Sequence, residues 1–210
     1  MNAESLIRVE QVRKRYGRRS VLQVDELSIF PGERVAVTGA NGCGKSTLLK
    51  LLTRVAPPTR GSVHWSSAIA GSTVGYVPQQ GGLYEELTVQ DNLDLRRNLY
   101  GKIAIDPGGQ GYVRALGLKP LLQQRFSQLS GGFRKLAALA AALHVDPDWL
   151  VLDEPLAGVG QELAEAFLDE LGAREAGLHA VIIASPRSDA YPRATRTIEL
   201  EEGRISCAGR

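Results

Sequence analysis

Residues Gly39 to Thr47 read GANGCGKST, a glycine and four residues before Gly44, Lys45 and Ser46, and they follow the apolar run Val35 to Val37. Few patterns narrow the choice of fold so far. The apolar run reads as a strand and Thr47 to Leu52 starts a helix, so the chain must pass from strand to helix through a glycine-rich turn. Gly39, Ala40, Asn41, Gly42, Cys43 and Gly44 can turn backbone N–H groups inward on a phosphate chain, with the positive end of the helix behind them. Lys45 can bridge β- and γ-phosphates, and Ser46 can offer its hydroxyl to Mg²⁺. Cys43 sits at a freely variable place in the loop and reads as a small filler.

At 210 residues the chain holds one domain with a full core. Short strand-like runs recur early: Leu6 to Val9, Val21 to Val24, Arg34 to Thr38, Ser62 to Trp65 and Val74 to Val77. They predict a β-rich N-terminal lobe. The middle reads as helices at Thr88 to Tyr100, Gly111 to Leu116 and Phe133 to Leu143. Then come strand Trp149 to Leu152, helix Gln161 to Ala173, and strands Ala180 to Ala184 and Thr197 to Leu200, ending in a turn at Glu202 and Gly203. Alternating strands and helices predict an α/β protein with a largely parallel sheet under helices. The expected organisation is one domain, 1–210, with 1–82 and 146–210 as its core and a helical subdomain at 83–145.

Twenty-five basic and twenty-three acidic side chains leave a net charge of +2, with no run of five like charges, so no nucleic acid is expected as a partner. The longest apolar runs fall far short of the ~20 residues a bilayer requires. Glu4 and Arg8 stand where an export signal would be apolar, and Cys43 and Cys207 make no disulfide framework. A reducing cytoplasm is the expectation.

Two later stretches bear on the phosphate loop. Trp149 to Leu152 runs into Asp153 and Glu154, which a buried strand would deliver to the carboxyl edge of the sheet, where open α/β sheets bind ligands. Asp153 would hold Mg²⁺ through water, and Glu154 would polarise an attacking water. Leu129, Ser130, Gly131 and Gly132 spell LSGG, with Ser130 a good N-cap for the helix that follows.

The phosphate loop, the acid-ended strand and LSGG, in this order, resemble the ATP-binding cassette (ABC) family along nearly the whole chain. The resemblance implies a RecA-like P-loop core with an N-terminal antiparallel β subdomain and an inserted α-helical subdomain. It implies that Gly39 to Thr47, with Asp153, bind ATP. It implies too that Tyr16 in RKRYGRRSVL stacks on adenine, and that Gln79 in VGYVPQQ reaches Mg²⁺ and joins the helical subdomain to the core. Glu154, Lys45 and Gln79 would be catalytic, and Ser46, Gln79 and Asp153 would serve Mg²⁺. Leu129 to Gly132 would act in trans, on the γ-phosphate held by a second cassette. A membrane-spanning transporter subunit and that second cassette, identical or not, are the implied partners, on the cytoplasmic face of the membrane. LYEELTVQDNL looks like exporter cassettes of the simple two-component kind.

Three positions depart from the family pattern. Phe133 replaces the usual glutamine after LSGG, as hydrophobic residues do in some exporter cassettes. Gly160 stands where the loop after Pro155 normally has aspartate, and Ser185, Pro186 and Arg187 stand where a switch histidine is expected. His64, His144 and His179 lie elsewhere and read as structural or solvated. A donor acting on a reacting group is commonly worth ~10²- to 10⁴-fold in rate, so slow turnover at this chain's own site is expected. Two other readings stay open: a degenerate regulatory half of a heterodimer, and, less favoured, a cassette acting on ribosomes or DNA.

Overall fold

Strands buried at every position need cover on both faces, and three such strands lie at the centre of the molecule. In the computed structural model, which describes residues 4–80 and 82–209, they are β3 (Arg34–Thr38), β6 (Trp149–Asp153) and β7 (Val181–Ala184). All three run parallel, with Val35 opposite Ile182 and Leu152 opposite Ile183. β5 (Val74–Val77) extends this set beyond β6, and β8 (Arg196–Glu201) extends it beyond β3.

The outer half of the sheet is built differently. β1 (Ile7–Tyr16) and β2 (Arg19–Ile29) form a long antiparallel hairpin, and β4 (Arg60–Trp65) pairs with the far side of β1. Burial largely alternates along β1 and β2, as expected where helices cover one face only. A last strand, β9 (Arg204–Gly209), returns antiparallel to β8 and meets β2 through the single pair Gln23 and Arg204. The nine strands make one sheet in the order β4-β1-β2-β9-β8-β3-β7-β6-β5. The runs read as Leu6 to Val9 and Val21 to Val24 are thus pieces of ten- and eleven-residue strands.

Side-chain alternation sorts the core into two layers. Val151 and Ile182 face the layer under α1 (Lys45–Leu52), together with Val35, Val37 and the apolar side of the hairpin. Leu150, Leu152, Val181 and Ile183 face the other layer. There they meet α2 (Val89–Leu99), α3 (Gly111–Ala115), α4 (Gly131–His144) and α5 (Gln161–Arg174).

α2 starts with a capping box between Thr88 and Asp91, and α4 is buried at every position from Leu136 to His144. His144 is fully enclosed. Its Nδ1 shares a hydrogen bond with the Tyr112 hydroxyl, its carbonyl accepts from Arg97, and its Nε2 has no hydrogen-bond partner, with Asp94 Oδ1 3.8 Å away. Burial, with the Arg97 charge beside it, pushes the imidazole down to about 4, so it is neutral at physiological pH. His64, by contrast, is exposed beside Ser62 and Glu10. No helix among the described residues is long and apolar enough to cross a membrane.

Candidate nucleotide site

α1 begins without help from a side chain. Its N-cap is Gly44, at φ 114° and ψ 2°, and no side chain accepts from the amides of the first turn. A Cβ here would lie 3.0 Å from the Val21 carbonyl oxygen in a backbone conformation that L residues rarely adopt. At Gly39, φ 137°, the same Cβ would meet the Leu200 carbonyl oxygen at 2.2 Å. The loop is therefore packed against β2 and β8 at both ends, with amide donors left over for an anion.

Lys45 is 4% exposed, and its Nζ donates to the carbonyl oxygens of Gly39 at 2.8 Å and Ala40 at 3.1 Å. It lies 3.9 Å from Glu154 Oε1. Lys45, Ser46, Thr47, Asn41, Gln79 and Glu154 line one cavity of about 360 Å³, with Arg19 and Val21 of β2 also on its wall. Tyr16 closes the same hairpin opposite Arg19, its ring 48% exposed and the Lys14 ammonium 5.1 Å from its centroid. Cys43 is buried within the loop, consistent with a filler.

Asp153 ends β6 and is 2% exposed, yet its Oδ1 has no hydrogen-bond partner. Burial pushes its carboxyl above the ordinary range, while the Ser46 hydroxyl pulls it down; Glu154 raises it, and Lys45 and Lys50 lower it. An orphaned buried carboxylate oxygen beside a serine hydroxyl is a hard-oxygen donor set suited to Mg²⁺. Among the described residues no group of three His, Cys, Asp or Glu side chains could hold an ion, so phosphate oxygens and water would have to complete the shell, as Mg²⁺ prefers. Glu154 follows at φ +49°, its N–H donating to the Ala184 carbonyl oxygen at 2.9 Å.

The LSGG turn lies on the helical side. Leu129 is buried, Ser130 and Gly131 are exposed, and the Ser130 hydroxyl accepts from the Phe133 N–H at 3.4 Å. Arg134 braces the turn from behind, bonded to the carbonyl oxygens of Ser127 and Leu129 and to Glu85. Phe133, like Val159 and Leu163, is partly buried against the margin of the helical core. A Cβ at Gly132 would stand 3.1 Å from the Gly158 carbonyl oxygen, so this turn and the loop after Pro155 nearly touch within one chain. Gly160 begins α5 with no side-chain cap. Past β7, Arg187 is exposed and held by both carboxylate oxygens of Asp189 at 3.0 and 2.7 Å.

One residue near the site went unread in the sequence. Lys135, a polar position on an amphipathic helix, donates from Nζ to the Glu154 carbonyl oxygen at 2.9 Å. Only its place two residues after Phe133 could have drawn attention to it.

Comparison with known proteins gives the family. The family model described as ABC transporter matches residues 22–157. The sulfate/thiosulfate import ATP-binding protein CysA 1 of Rhizobium meliloti (strain 1021) is 31% identical over 97% of this chain, which spans 62% of that protein's length. The zinc import ATP-binding protein ZnuC of Jannaschia sp. (strain CCS1) is 33% identical over 98% of this chain and 82% of its own. A dimeric ATP-binding cassette solved in a post-hydrolysis state with ADP and Pi shares the fold, with a TM-score of 0.86 at 22% identity over 97% of this chain and 98% of that one. On the family match and the sequence likeness to these relatives over nearly all of this chain, the chain belongs to the ABC transporter family.

Proposed function

We propose that this chain binds ATP with Mg²⁺ and hydrolyses it as the ATPase subunit of a transporter, on the cytoplasmic face of a membrane beside a separate membrane-spanning partner. The observation that carries the reading is convergence: Lys45, Ser46, Gln79 and Glu154 line one cavity, next to the unpartnered Asp153 oxygen. Lys45, bonded to two neutral carbonyls, exchanges them for phosphate oxygens, a stronger charge-assisted pairing. Ser46, Gln79 and, through water, Asp153 would hold Mg²⁺, which would supply neutralisation of charge on the phosphates. Glu154 polarises the attacking water, and Tyr16 offers its exposed ring to the base.

Two cassettes then close head to tail, so that Ser130, Gly131 and Gly132 of one meet the γ-phosphate held by the other. In this reading 1–82 and 146–210 act as the catalytic core and 83–145 as the helical subdomain, which passes closure to the membrane partner. The relatives described above are named as import proteins, which favours import over the export suggested by LYEELTVQDNL. The cargo is chosen by the membrane subunit. Size-exclusion chromatography tests closure: Glu154→Gln should dimerise in Mg-ATP and dissociate in Mg-ADP. A variant that stays monomeric in Mg-ATP at high concentration, with no rescue by a partner cassette, sinks the model.

A second reading rests on the segment after β7, where Pro186 or Ser185 stands at the place expected for the switch histidine and Arg187 is committed to Asp189. It makes this site a slow, regulatory half paired with a competent cassette. Pro186→His should then raise steady-state hydrolysis at least tenfold in the assembled complex. Vigorous wild-type turnover at this site excludes it.

A further inference from the structure

Glu154 holds a backbone conformation that its side chain does not favour. A non-glycine residue at φ +49° persists only where its surroundings over-determine it. Two sets of contacts do so. From the core, the Glu154 N–H donates to the Ala184 carbonyl oxygen at 2.9 Å. From the helical side, the Glu154 carbonyl oxygen accepts from Lys135 Nζ at 2.9 Å, with a longer bond of 3.4 Å from the Ala157 N–H. The peptide units on either side of Glu154 are thus gripped by different layers, and the carboxylate between them stands 3.9 Å from Lys45.

Lys135 is half-buried on the wall of a second cavity, about 250 Å³, that it shares with Gln79, Asp153 and Glu154. Its ammonium feels both carboxylates, which oppose the effect of its burial. A lysine serving only solubility would extend into water; this one reaches from the helix that follows LSGG to the main chain of the proposed general base.

We propose that Lys135 is a positioning residue for hydrolysis, clamping the Glu154 main chain so that the carboxylate is aimed at the phosphate-loop cavity. The inference rests on the role proposed above for Glu154. It also makes the aim of Glu154 depend on the seating of α4, so that the LSGG helix and the general base of one chain move in register. Misplacing a reacting group by about 1 Å costs up to ~10²-fold in rate, without altering how nucleotide is held.

The test is steady-state ATPase kinetics on the purified full chain, with Lys135→Met, Lys135→Arg, Glu154→Gln and the double variant Lys135→Met/Glu154→Gln, each checked by thermal melting. Lys135→Met should lose about tenfold in kcat with KM for ATP within about twofold of wild type. Lys135→Arg, which keeps a donor, should recover to within about threefold. In the Glu154→Gln background Lys135→Met should have no further effect, because there is no base left to aim. Wild-type kcat in Lys135→Met, a tenfold loss repeated in the Glu154→Gln background, or a loss confined to KM overturns the inference alone. Full activity in Glu154→Gln overturns the functional reading and the inference with it.

Discussion

Two helices that begin beside glycines, α1 and α4, solve the same problem in opposite ways. Every helix starts with amide donors that have no partner inside it. α4 caps itself, with Ser130 in extended backbone and its hydroxyl on the Phe133 N–H. α1 has only Gly44, in the left-handed region, with no side chain on its first turn. A self-capped start is complete by itself and can be offered intact to a neighbour. The uncapped start of α1 has a lysine bent over its loop as well. In the reading proposed above, α1 holds the phosphates in cis and the self-capped α4 is offered in trans.

That contrast can be broken at several points. The greatest change should come from Lys45→Ala: ATP affinity of the isolated chain is expected to fall at least ~100-fold, about 2.7 kcal/mol. Equilibrium binding of a fluorescent ATP analogue measures it, and near-native affinity would mean that the amides of α1 hold the phosphates alone. The far end of α4 comes next. His144 is neutral when folded, with its pKa lowered to about 4 against 6.5 when free. Between those values the unfolded chain binds the extra proton, so the stability that His144 contributes is complete above pH 6.5 and is lost as pH falls toward 4. At ~1.4 kcal/mol per pKa unit the loss reaches about 3 kcal/mol. Urea titrations from pH 7 to 4 should show this slope in the wild type and a flatter one in His144→Gln.

Ser130→Ala should cost about 1 kcal/mol of stability through the lost cap, and leave ATP affinity of the isolated chain unchanged. Should its affinity fall in step with Lys45→Ala, the division between cis and trans fails. Cys43→Ala should change least, under ~1 kcal/mol with native ATP affinity, because the thiol only fills the loop.

Much of this was legible in the residues, for reasons that differ by region. A strand that turns into a helix around phosphate needs glycine, lysine and serine at fixed steps, so Gly39 to Ser46 could be read letter by letter, and the apolar run Trp149 to Leu152 announced the two acids that follow it. The hairpin of β1 and β2 was read too short because charged residues within it, such as Arg13, Lys14 and Asp25, interrupt the apolar pattern. β9 went unread because RISCAG carries little alternation, and its pairing with β8 is settled by a turn at Glu202 and Gly203 rather than by burial. Lys135 is illegible by itself: its role depends on a distance across two layers, which spacing along a helix does not encode. The Phe133 substitution was visible as a departure, but its seat against the helical core emerged only from packing.

The seam between β2 and β9 is one ladder pair, reinforced by the Gln23 N–H on the Gly203 carbonyl oxygen at 2.6 Å. The hairpin meets the core again where Gly44 leaves no room for a Cβ beside the Val21 carbonyl oxygen, and where Arg196 of β8 donates to the Ser28 carbonyl oxygen at 2.8 Å. The hairpin carrying Tyr16 and the core carrying Lys45 are therefore fastened at separate points, like planks nailed at intervals rather than glued along an edge. A nucleotide touching both, as proposed above, would add one more nail.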